Sequence, residues 1–131
     1  MNYLKWIAVL PTFVGGIVVG ILGANLFFFF QSWWLGVGAD SGWAFLHNYV
    51  FASAIGSVLG VYWGTKIAPS HTKVVAFVLG ALLVVVYVSD VIMGFVLSNP
   101  DATGSVVRAV VSVIAGGYVV CCMSQDAWWW C

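Results

Sequence analysis

Glutamate is absent from this chain, and charged residues of all kinds make up only 6% of it. An ordinary soluble domain carries roughly 25% charged residues. A chain of 131 residues with so few charges cannot build the polar surface that keeps a domain in water. The missing glutamate also removes the metal and proton-transfer motifs that depend on it, H-E-x-x-H among them. Four basic residues (Lys5, Lys66, Lys73, Arg108) balance four acidic ones (Asp40, Asp90, Asp101, Asp126). The net charge of zero supplies no basic field, so no nucleic-acid partner is expected.

Cysteine is scarce too. Cys121, Cys122 and Cys131 are an odd number gathered at one end, which is not a disulfide framework. The adjacent pair reads first as small packing or lipid-facing side chains. There is no Cys or His cluster at metal spacing and no phosphate-binding glycine loop. No metal, no cofactor and no enzymatic activity is therefore expected. A haem would need an axial ligand, and only His47 and His71 offer imidazole.

Apolar residues take the place of what is missing. They form 63% of the chain, with mean hydropathy +1.09. Four hydrophobic runs cover about residues 4–31, 43–65, 73–97 and 105–123. A helix needs roughly 20 residues to cross the hydrocarbon core, and each run meets that length. The expected fold class is all-α: one integral membrane domain over residues 1–131, built as a four-helix bundle. The first run continues through Leu26-Phe27-Phe28-Phe29-Phe30 past the small residues Gly23 and Ala24, which argues against a cleaved signal peptide. Pro11 is placed to kink it near its start. The connections carry turn residues: Gly36, Gly38 and Asp40 in the first, Pro69 in the second, Asn99 and Pro100 in the third.

Lys5, Lys66 and Lys73 fall on one side and Arg108 on the other, which predicts both termini on the cytoplasmic side. Tryptophans mark the interfaces. Trp33, Trp34 and Trp43 flank the first connection, and Trp128, Trp129 and Trp130 form an expected anchor at the opposite face.

Small residues at every fourth position predict close helix contacts, because backbone approach, not water, drives association in lipid. The second run has Ala52, Gly56, Gly60 and Gly64, a row suited either to the bundle interior or to another copy. The first has Gly16 and Gly20. The third reads Ala76, Gly80, Leu83, Tyr87, Asp90 and Gly94, a seam of average period 3.5. The fourth offers Ser112 and Gly116.

A few polar residues break the pattern. Asp90 and Arg108 approach the membrane interior from the same side, and pairing neutralises both. His47, Asn48 and Asn25 share their depth, making a candidate polar layer of five residues. Depth does not settle angle, and Asn25 sits about half a turn from the Gly16–Gly20 stripe.

The stretch Gly56-Ser57…Gly60-Val61-Tyr62…Ile67-Ala68-Pro69-Ser70-His71 resembles a segment of small, uncharacterised four-span bacterial membrane proteins. That resemblance implies a four-helix architecture and a bacterial inner membrane, and it carries no activity. Small multidrug transporters have similar length, but they depend on a glutamate in the first span, which this chain lacks. The expected function is a structural or accessory subunit that packs laterally against other membrane subunits or copies of itself. The alternative is a small oligomeric channel or transporter using the Asp90, Arg108 and His47 layer.

Overall fold

The computed structural model describes residues 2–38, 40–100 and 102–125. Trp128, Trp129, Trp130 and Cys131 lie outside them. Among the described residues the chain is all-helical, with four helices long and apolar enough to cross a membrane. Helix α1 spans Asn2–Leu35, α2 Gly42–Ile67, α3 Thr72–Val96 and α4 Ala102–Gln125. Helix α1 continues through Pro11 as a single element. At 1.5 Å per residue it is about 50 Å long, well beyond a hydrocarbon core of about 30 Å.

The helix ends follow local chemistry. Ser41 caps α2, its hydroxyl accepting from the Ala44 amide at 3.2 Å, which satisfies one of the open donors of a first turn. At the end of α3 the chain turns with Ser98 in the left-handed region (φ 50°). Asn99 N–H donates to Gly94 O at 3.0 Å and Ser98 N–H to Phe95 O at 3.2 Å. That is a Schellman closure with Ser98 in the position glycine usually takes. Helix α4 starts at Ala102, a turn earlier than the hydrophobic run alone places it.

Helix α2 is not uniform. It is α over Gly42–Phe45, widens to π over Leu46–Phe51 and returns to α over Ala52–Ile67. Nothing in the periodicity of the run announces this segment.

The bundle is arranged around α2. Helix α1 packs mainly on α2, while α3 and α4 pack on each other and on another side of α2. Two adjacent rows of small residues explain the central place of α2. One row, Gly56, Gly60 and Gly64, turns to α1. A Cβ on Gly16 would stand 2.8 Å from Gly60 Cα, and one on Gly20 would stand 2.6 Å from Gly56 Cα. Backbone therefore meets backbone, and the Gly56–Gly60 row is inside this chain. Gly64 is filled by Phe13 and by the tip of Leu79 from α3.

The second row is Ser53, Ser57, Val61 and Thr65, all fully buried. Its hydroxyls donate back along the helix: Ser53 to Tyr49 O at 2.6 Å, Ser57 to Ser53 O at 2.7 Å and Thr65 to Val61 O at 2.6 Å. They are thus satisfied without a partner helix, and they stay small enough for α3 and α4 to come close. The rest of the core is Leu79, Leu83 and Tyr87 of α3 against Ala109, Val119, Val120 and Met123 of α4. Here side chains fill glycine sockets: Gly80 faces Val120 Cγ2, and Gly116 faces Leu83 Cδ2. Cys121 is a free, exposed thiol, so it forms no disulfide with its neighbour.

Candidate functional site

Because α1 and α3 both lean on α2 without packing along each other, a cleft of about 510 Å3 remains between them. Asn25 of α1, Asn48 and Tyr49 of α2, Asp90 of α3 and Arg108 of α4 line it. Asp90 is six residues before Val96 and Arg108 six after Ala102, so both sit about 9 Å from the same end of the bundle.

The Arg108 guanidinium reaches the Asp90 carboxylate, Nη1 to Oδ2, at 3.8 Å. That is an ion pair without hydrogen-bond contact, and Oδ2 is buried with no hydrogen-bond partner among the described residues. The Arg108 and Asp90 side chains remain 37% and 42% exposed, so the pair forms one edge of the open cleft. Arg108 is held from the other side by Tyr49, its Cζ lying 5.1 Å from the ring centroid. A cation over an aromatic face is attracted by the ring quadrupole. Gly104 lies so close to the Tyr49 ring that a Cβ there would overlap it, and Phe45 packs on the same ring at 4.7 Å. Tyr49 is the member of this site that sequence reading misses. It follows Asn48 directly, in a run where an aromatic residue looks like ordinary packing.

The structure therefore brings together Asp90, Arg108, Asn48 and Asn25. It does not bring His47 to them. Successive helical residues point about 100° apart, and the π segment shifts the phase again, so His47 faces α1 while Asn48 faces the cleft. His47 is 3% exposed and packs between Phe28 and Phe51, with ring centroids at 5.1 and 5.7 Å. Its Nδ1 has no hydrogen-bond partner among the described residues. The expected five-residue layer is thus two separate sites, on two faces of α2. His71, by contrast, lies at the start of α3 beside Ser70 Oγ at 3.1 Å.

Trp33 and Trp34 are largely exposed at the end of α1, and Trp43 Nε1 donates to Gln31 Oε1 at 3.3 Å. Among the described residues no group of three His, Cys, Asp or Glu is placed to hold a metal.

These features define an all-α protein with the dimensions of a four-span bundle and a polar cleft on its side. No family model, curated protein or solved structure matches the chain.

Proposed function

We propose that the protein is an integral membrane accessory subunit that packs laterally within a membrane complex or with copies of itself. The carrying observation is the side-opening cleft. Asn25 and Asn48 are exposed in it, beside the partly exposed Asp90 and Arg108 side chains. In hydrocarbon each unsatisfied polar group costs several kcal/mol, so such a cleft calls for a polar helix from a neighbour. The internal Gly16–Gly60 and Gly20–Gly56 contacts support a fold complete enough to present that surface as a unit.

The same reading places both termini in the cytoplasm, on the strength of Lys5, Lys66 and Lys73. It places the protein in a bacterial inner membrane, on the resemblance of the Gly56–His71 stretch. The channel or transporter reading draws on the same cleft, but Arg108 already neutralises Asp90 and leaves little for a passing cation.

The test is the assembly state in mild detergent by native mass spectrometry. Wild type is expected in a defined oligomer or with co-purifying membrane subunits, and Asn25→Leu with Asn48→Leu is expected to dissociate it. A wild-type monomer with nothing attached would defeat the proposal. Ion flux in proteoliposomes, lost in Asp90→Ala, would replace it with the channel.

A further inference from the structure

A second cavity, of about 460 Å3, lies between α1 and α2 on the face away from Asp90. Its size falls in the range of small-molecule sites. Most of its wall is apolar. Gly20, Gly23 and Ala24 give α1 a nearly flat surface there, and Phe27, Phe51 and Ile55 form the sides. A Cβ on Gly23 would meet nothing within 4 Å, so this glycine is not needed for packing. It leaves space.

Three polar side chains gather toward one end: His47, Gln31 and Trp43. Trp43 gives its N–H to the Gln31 carbonyl oxygen, which leaves the Gln31 amide as a donor. His47 lines the cavity and is more than nine-tenths buried, and among the described residues its Nδ1 has no hydrogen-bond partner. Buried polar groups are ordinarily satisfied, and an exception calls for an explanation. The π segment that carries His47 is a feature often found at functional sites.

Together these set a ligand's chemistry. Among the described residues lining the cavity none is Lys or Arg, so an anionic head would go unneutralised. The Gln31 amide donates, and the imidazole donates from whichever ring nitrogen carries its proton, so both suit a hydrogen-bond acceptor. The flat glycine wall and the aromatic sides suit a planar ring. Gln31 lies four residues before the end of α1, whereas Val19 and Leu59 line the cavity deeper in the bundle. An apolar tail would therefore run inward from the ring. Phe27, Phe51 and Ile55 are exposed on the outer surface, which gives entry from the lipid side.

We propose that this cavity binds an uncharged, lipid-soluble ring compound bearing carbonyl acceptors, of the quinone class, with His47 as its hydrogen-bonding anchor. The proposal concerns binding alone and stands apart from the Asp90 cleft.

The probe is decylubiquinone, titrated into the purified protein in nanodiscs and read by quenching of tryptophan fluorescence, with 1-decanol as a ringless competitor. Wild type is expected to bind saturably. His47→Phe keeps a ring but loses both nitrogens, and is expected to bind about tenfold more weakly, the worth of one hydrogen bond. Gly23→Leu fills the cavity from a position free of contacts and is expected to abolish saturable quenching while helicity is kept and melting is no lower than in wild type. If His47→Phe fails to fold, Gly23→Leu decides. Absence of saturable binding to wild type, wild-type affinity in a folded variant of either kind, or equal displacement by 1-decanol would overturn the assignment.

Discussion

The α1–α2 and α3–α4 contacts both use glycine, but they are built differently. From the α1 side glycine faces glycine, and what a new Cβ would strike is main chain: Gly60 Cα for Gly16, Gly56 Cα for Gly20, whereas a Cβ on Gly60 would first meet Ile17 Cγ1. Between α3 and α4, glycine faces the tip of a branched side chain: Val120 Cγ2 for Gly80, Leu83 Cδ2 for Gly116. A side chain can change rotamer, whereas a helix backbone moves only as a whole. The first interface therefore sets the distance between two helices, and the second fills a distance already set. Small residues at four-residue spacing look identical in the two cases.

The sharpest way to break this contrast is Gly20→Ala. Overpacking costs typically 1–3 kcal/mol, and with no flexible atom to yield, about 3 kcal/mol of destabilisation is expected. Thermal unfolding in detergent reads it, and a loss below about 1 kcal/mol would show that α1 can simply step away from α2.

Gly116→Ala should cost less, about 1–1.5 kcal/mol, since Leu83 can rotate. A cost matching that of Gly20→Ala would erase the distinction between the two interfaces.

The Asp90–Arg108 pair links α3 to α4 as well, again through side chains. Asp90→Asn leaves Arg108 facing the cleft unpaired, while Asp90→Asn with Arg108→Gln leaves no charge. The single variant is expected to be the less stable by about 1 kcal/mol, a value kept small because the pair is long and partly exposed. Equal melting of the two variants would remove the pair from the list of contacts that hold α3 against α4.

The smallest effect is expected at Gly23, where a methyl group meets open space. Gly23→Ala should raise stability by about 0.5 kcal/mol through helix propensity alone. A loss of stability there would mean that α1 lies closer to its neighbours than the cavity allows.

The same contrast explains what the chain makes legible. Ala76, Gly80, Leu83 and Tyr87 read as a seam, and Ala76, Leu83 and Tyr87 are buried against neighbouring helices. The Ser53-Ser57-Val61-Thr65 row was equally open to reading. It runs one residue behind the glycine row, but polar side chains do not look like packing until their hydroxyls are seen returned to their own helix. Tyr49 offered no such signal, since its role depends on what stands opposite.

His47 shows where sequence reading stops. Depth along a helix is a count of residues, and by depth His47 belongs with Asp90 and Arg108. Direction around a helix depends on phase, and a π segment inside α2 alters the phase that a regular 3.6-residue period assumes. The amino-acid order by itself determined four long apolar helices, their turns and the few polar positions within them, because hydropathy, length and capping are local properties. Only the tertiary structure decided that α2 is the central helix, that Gly56 and Gly60 close on α1, and that one polar layer is two sites. Those outcomes depend on which faces meet, and that is settled by the packing of all four helices at once.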